Sequence, residues 1–271
     1  MVEKQISKSQ LQDNQRRLLG ILQDSQGNKK ANAGKKILHN GRKTVMQMYR
    51  CEFCQKDFAK EKTLYVHVCE QKRRHMSKNE KHVQMGLMTF QRFYEITQNA
   101  KKQKTFEEFA NSPYYTAFVK FGSFMVNTAP IYPERFIEYV IRSGVKLDHW
   151  CRDSLYDQYI SELIKIEPAD GAIQRTIKTM MEWADVNNAA WEHYFAYVNL
   201  NRATHDVKEG LISPWVVLNT KSGKDMLKRM NDEQLEIIGP IIDPQYWLRR
   251  FQSLPADHEL VKELIKEAKI L

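Results

Sequence analysis

Long apolar runs are missing from this 271-residue chain. No window of about 18 apolar residues exists and no charged-then-apolar leader is present, so neither a membrane span nor a secretory signal is expected. Cysteine is scarce, at 4 residues, too few for a disulfide framework. That fits a reducing, intracellular compartment. Clear period-2 alternation is absent, which argues against a sheet-built fold. No P-loop, GxGxxG, HExxH or GxSxG pattern occurs, so none of the common nucleotide or hydrolytic sites is signalled. There is no internal repeat, which argues against a tandem array of modules.

What is present is concentrated between residues 49 and 67. Tyr49, Cys51, Cys54, Phe58, Leu64 and His67 fall in the pattern Tyr-x-Cys-x2-Cys-x3-Phe-x5-Leu-x2-His. Two thiolates on a tight turn and an imidazole thirteen residues after the second are what a tetrahedral zinc ion needs from a hairpin packed on a helix. A ββα unit of this size cannot bury a sufficient core. Tyr49, Phe58 and Leu64 would form a minimal one, and the metal would supply most of the folding free energy. Up to His67 the pattern resembles a C₂H₂-type zinc finger. The competing reading takes Cys51 and Cys54 as incidental thiols, which leaves the apolar spacing unexplained.

The fourth ligand departs from that family. Four residues after His67 stands Gln71, a poor zinc ligand, and the candidates are Cys69 and His75. On a regular helix, residues i and i+2 point about 200° apart, so His67 and Cys69 can face one metal only if the helix ends or tightens near Val68. His75 would lie roughly 12 Å further along the axis and needs the chain to fold back. Cys69 is preferred because a thiolate is the stronger ligand, with Glu70 or water as a distant third. The expected centre is one structural Zn²⁺ held by Cys51, Cys54, His67 and Cys69.

Charge singles out the same end of the chain. Residues 1–104 hold 23 Lys+Arg against 9 Asp+Glu, a net of +14, whereas residues 105–271 hold 19 against 24, a net of −5. Such an asymmetry points to a nucleic-acid-binding end joined to an ordinary domain. Lys60, Lys62, Lys72, Arg73 and Arg74 would contact phosphates, which carry affinity without sequence information. Counting back from His67 as helix position 7, as in duplex-reading fingers, places Lys60, Thr63 and Val66 toward bases. Thr63 could touch a thymine methyl and Val66 offers only apolar contact. One finger covers about three base pairs, so loose or strand-directed binding is expected rather than sequence-specific control. DNA ranks ahead of RNA as the partner, with replication or transcription proteins beside it.

The chain is expected to divide into a disordered basic tail (1–47), a zinc finger (48–75), a basic helical connector (76–104) and an all-α helical domain (105–271). The overall class is mainly α. Within the tail, Leu11 to Leu22 could form a short amphipathic docking helix. The connector is expected to stay mobile without a ligand, because its charges repel. Met85 to Ile96 reads as a helix from its apolar residues Met85, Leu87, Met88, Phe90, Phe93 and Tyr94. Thr105-Phe-Glu-Glu108 reads as a capping box opening the next, and further helices are expected at 113–127, 132–143, 148–165, 171–186, 188–203, 223–230, 232–238, 243–252 and 256–269. The prolines would fall mostly at first turns or in connections. Aromatics recurring at helical spacing, from Phe106 to Phe124 and again at Tyr156, Tyr159, Trp191, Tyr194, Phe195 and Tyr197, read as core rather than as stacking platforms. Trp215, Tyr246 and Trp247 read as core or interface anchors. His193 with His205-Asp206 is the one constellation worth weighing as a hydrolytic metal site. It lacks further ligands, so the chain reads as a non-enzyme.

The run Tyr-Arg-Cys-Glu-Phe-Cys-Gln-Lys-Asp-Phe (49–58), followed by Leu64-Tyr-Val-His-Val-Cys-Glu-Gln-Lys-Arg-Arg74, is similar to zinc-finger proteins of cyanobacterial tailed phages, in which a His-x-Cys ending is followed by basic residues. The resemblance covers about thirty residues. It implies a viral protein acting in the host bacterial cytoplasm with the Cys51, Cys54, His67, Cys69 ligand set. The layout of basic finger plus helical domain is also faintly similar to phage replication accessory proteins such as helicase loaders. The leading expectation is a zinc-binding, nucleic-acid-binding accessory protein in replication, recombination or transcription control. The alternatives are a protein-protein adaptor with a structural finger and a metal-dependent hydrolase in the helical domain.

Overall fold

The structure, a computed structural model, describes residues 48–270. The expected tail and its Leu11 to Leu22 segment lie outside the described residues. The fold is mainly α. Among the described residues a single two-stranded sheet occurs, with β1 (Tyr49–Arg50) antiparallel to β2 (Asp57–Phe58) and Tyr49 opposite Phe58. No described helix is long and apolar enough to cross a membrane. Two compact units form, the first ending at Cys151 and the second starting at Arg152. The division thus places the finger, the connector and residues 105–151 together.

In the first unit the hairpin leads into α1 (Glu61–Tyr65) and α2 (Glu70–Met76). The connector expected to be mobile is instead ordered as α3 (Lys81–Gln98), which buries Val83, Gly86, Thr89 and Phe90. Those residues recur at helical spacing, and their burial outweighs the repulsion of the flanking lysines. The helix lies along α5 (Tyr115–Thr128). Gly122 makes that approach possible: a Cβ there would stand 2.1 Å from the His82 carbonyl oxygen. Between them comes α4 (Phe106–Ala110), opened by the expected capping box, in which Thr105 and Glu108 each cap the other's backbone N–H.

After α6 (Pro133–Arg142), the indole of Trp150 closes this core against Phe93, Phe118 and Phe121, with centroids 5.4–6.1 Å apart. Its N–H donates to the Val145 carbonyl at 2.8 Å, so the buried ring leaves no orphan donor. Phe106, Phe109, Tyr115, Phe118 and Phe121 are all buried, as the core reading required.

The second unit is built around α7 (Asp153–Ile166) and α8 (Ala169–Asn187). The helix expected over 188–203 is broken. Asn188, at φ 50°, ends α8 in the left-handed conformation, and Asn199 caps a new helix with its side chain. Between them lie a 3₁₀ turn (Trp191–His193) and α9 (Tyr194–Tyr197), before α10 (Leu200–Lys208).

Then follow α11 (Pro214–Val217), α12 (Lys221–Arg229), α13 (Asp232–Ile242), α14 (Pro244–Ser253) and α15 (Pro255–Glu267). Pro214, Pro244 and Pro255 occupy first turns, but Pro240 sits inside α13, which continues past the expected end at 238. Trp215 and Trp247 are fully buried and pack with Phe251 at 5.1–5.7 Å, as core anchors. Tyr197 departs from the core reading, at 73% exposure.

Candidate metal centre

The β1–β2 turn places the first two sulfurs. Gln55 takes φ 60°, and its N–H donates to the Cys51 carbonyl at 2.8 Å while the Cys51 N–H donates to the Lys56 carbonyl at 2.9 Å. That tight turn folds Cys54 back over Cys51. Outside the turn, Arg50 and Asp57 form a cross-strand ion pair at 2.7 Å. The pair is exposed and adds little beyond register.

His67 and Cys69 meet by a route that settles the geometric problem at Val68. The finger helix ends at Tyr65, with Val66 as its C-cap, two residues earlier than the site demands. Residues 67–69 are non-helical, so the 200° separation that a continuing helix would impose on His67 and Cys69 does not arise. Cys69 then serves twice. Its backbone is extended (φ −84°, ψ 168°), and its sulfur accepts the Lys72 N–H at 3.4 Å as the N-cap of α2.

The ligating atoms of Cys51, Cys54, His67 and Cys69 all lie within 4.8 Å of one another. Cys51 Sγ stands 3.9 Å from Cys69 Sγ, and Cys54 Sγ stands 3.3 Å from His67 Nε2. Tetrahedral bonds of about 2.3 Å to sulfur and 2.0 Å to nitrogen place neighbouring donors roughly 3.5–3.8 Å apart, so the set fits a zinc-sized ion. Three thiolates and one imidazole suit zinc better than a hard, oxygen-seeking cation. The other fourth-ligand candidate, His75, lies outside the cluster, with its ring 5.2 Å from Phe53 and 6.1 Å from Phe106.

The thiols differ before any metal arrives. The Cys54 backbone N–H lowers the Cys51 pKa against the opposing effect of burial, with help from the Phe53 N–H and the neighbouring sulfurs. At Cys54 the Lys56 N–H also lowers, but burial and the sulfurs of Cys51 and Cys69 together raise the thiol above its ordinary value. Of these two, Cys51 is thus the readier to ionise.

Around the centre, Phe58 packs on the His67 ring at 4.7 Å, and Tyr49, Phe58 and Leu64 are half-buried. Cys51 is the one residue of 48–76 that is fully buried. The finger does not have a core wholly its own, because Phe53 contacts His75, and His75 contacts Phe106 of α4.

The expected nucleic-acid residues separate into two groups. Lys60, Lys62 and Thr63 are exposed on or beside α1, and among the described residues neither lysine enters an ion pair. Arg73 is exposed and paired with Glu70 at 3.2 Å, while Lys72 is half-buried, with Nζ 3.5 Å from the His67 carbonyl. Arg74 turns inward, donating to the Ala110 carbonyl at 2.7 Å and lying 4.4 Å over the Tyr115 ring. Its side chain is only 19% exposed. The six residues therefore do not share one open face.

In the second unit Asp206 is fully buried, accepting from Tyr194 Oη and Arg202 Nε, each at 2.8 Å. Burial and that carboxylate push the Tyr194 hydroxyl far above its ordinary pKa. His193 packs edge-to-face on Tyr197 at 5.7 Å rather than joining His205. The His205-Asp206 pair is thus part of a helix-fixing network. No family model, curated protein or solved structure matches the chain.

Proposed function

We propose that this protein is a zinc-binding, nucleic-acid-binding accessory protein, of phage origin by its resemblance, acting in replication, recombination or transcription control. The zinc is structural. Cys51, Cys54, His67 and Cys69 would hold it, and its binding free energy would replace the core that the hairpin and α1 lack. With four protein ligands the shell is closed, as in structural rather than catalytic zinc sites.

The observation that carries the nucleic-acid reading is the state of the finger's cations. Lys60 and Lys62 are exposed and without ion-pair partners among the described residues, at the chain end with the +14 balance. Free surface lysines of this kind are what phosphate neutralisation uses. A salt titration of binding to a DNA duplex and to a single strand tests it, comparing the zinc-loaded chain with Lys60→Ala/Lys62→Ala. Affinity should fall for all sequences alike, and the salt slope should drop by about two, near one for each phosphate no longer neutralised. An unchanged affinity and slope would favour the adaptor reading, which has one observation of its own: Val68 and Met76 are 54% and 72% exposed beside the finger.

A further inference from the structure

We infer that the finger takes an unpaired strand of nucleic acid, with Tyr65 stacking on a base, rather than a duplex groove. The inference rests on the nucleic-acid reading above and specifies the form of the ligand. A duplex-reading finger presents positions −1, 3 and 6 from one continuous helix. Here α1 is five residues long, about 7.5 Å at 1.5 Å per residue, and Val66 at the third position is already its C-cap. The next helix does not extend α1 into a groove, since Arg74 ties it to the Ala110 carbonyl. Of the three base-facing positions Lys60 alone could make a bidentate contact.

The same region displays what a single strand needs. Tyr65 is 84% exposed, the highest value among the described large apolar residues of the first unit, and Val66 beside it is 66% exposed. An exposed phenol ring on the last residue of α1, a helix that the metal would stiffen, offers a ready stacking face for a base. Lys62 precedes Tyr65 by three residues and so flanks the ring on the helix surface, with Lys60 at the helix start. Aromatic face and free cations are thus interleaved as single-strand binding requires.

An open cleft of about 600 Å³ lies between β1 and α1, with Tyr65, Phe53 and Arg50 on its wall. Glu52, Glu61 and Lys72 complete its charged lining. Two carboxylates against two cations leave no net positive charge, so the cleft suits a base and not a phosphate. Its carboxylates can accept from an exocyclic amino group. The phosphates then track the open side that carries Lys60 and Lys62.

The test uses fluorescence anisotropy with the zinc-loaded full chain and end-labelled strands of about twenty nucleotides, long enough to exceed one binding site: a mixed-sequence DNA strand, the RNA strand of the same sequence, and the matching duplex. The single strands should bind more tightly than the duplex. Tyr65→Ala should weaken single-strand binding by on the order of tenfold, with the salt slope and the zinc content unchanged. Tyr65→Phe should retain most of the affinity, because the stacking face survives. Duplex binding as tight as single-strand binding, or a Tyr65→Ala chain that binds single strands like the wild type, would overturn the inference while leaving the nucleic-acid reading standing. Failure to bind any of the three at low salt would overturn both.

Discussion

The finger and the second unit reach order by opposite means. From residue 48 to 76 only Cys51 is fully buried, and four ligand atoms within 4.8 Å stand where a core would be. From Arg152 onward, Trp215, Trp247, Tyr194 and Phe195 are all at 0% exposure, and even an ion pair is interior: Glu167 and Arg175 meet at 2.6 Å with 1% and 12% exposed side chains. The contrast extends to charge. The second unit buries the carboxylates of Glu167 and Asp206 against Arg175 and Arg202, whereas no charged side chain of residues 48–76 is buried. A short segment whose order would come from a metal needs no charged group in its interior, whereas a helical unit with a full core can bury charge if each group is paired.

Metal removal is the strongest way to break the comparison. Chelation, or Cys51→Ser, should remove on the order of 10 kcal/mol of metal binding from the finger. Zinc content should fall from one per chain to none, and amide exchange should become fast across residues 49–69. Exchange from residue 152 onward should not move. If chelation leaves 49–69 protected, the finger has a core after all; if protection disappears from 152 onward as well, the two regions do not order separately.

The next largest effect lies in the second unit. Arg175→Met strips the carboxylate of Glu167 of its bidentate guanidinium, with donor distances of 2.6 and 2.7 Å, and also removes the bond to the Gly210 carbonyl. Breaking a buried pair from one side costs about 3–5 kcal/mol. Urea unfolding should show a lowered midpoint with zinc content unchanged. The double change Glu167→Leu/Arg175→Met should recover much of that stability, since no interior carboxylate remains to be compensated. A single variant with an unchanged midpoint would mean that the pair contributes nothing to this unit.

How far each region could be read in advance follows from the range of its determining contacts. The spacing of Cys51, Cys54 and His67 is local, and so is the Thr105–Glu108 capping box; both were legible in the sequence. Cys69 was legible as the preferred fourth ligand from the strength of a thiolate donor, whereas the way it reaches the site was not, because that depends on α1 stopping at Tyr65. The β-branched Val66 and Val68 around His67 hinted at extended chain. The break at Asn188 and Asn199 carried a signal too, since asparagine favours both left-handed C-caps and helix starts. The helix of α3 was legible from the apolar spacing of Met85 to Ile96, but the flanking lysines obscured that it packs in place rather than staying mobile. Arg74 carried no signal at all: its partner Ala110 lies 36 residues away.

That last residue supplies the smallest effect and the sharpest line between the two ways of using a cation. If Arg74 serves the fold, Arg74→Ala removes the 2.7 Å bond to Ala110 and the 4.4 Å contact over Tyr115. The destabilisation should be about 1–2 kcal/mol, the size of a charge-assisted hydrogen bond with a partly desolvated cation–π contact. It should appear as faster amide exchange in Glu70–Met76, with zinc content intact because none of the four ligands is touched. The salt slope of nucleic-acid binding should stay at the wild-type value, whereas each exposed lysine of α1 replaced by alanine lowers it by about one. A slope lowered by Arg74→Ala with exchange in α2 unchanged would return the residue to the binding face. Arg73, exposed and bound only to Glu70 within its own helix, is the matched control. Its replacement should leave α2 exchange nearly untouched, because surface pairs of that kind are worth less than about 1 kcal/mol.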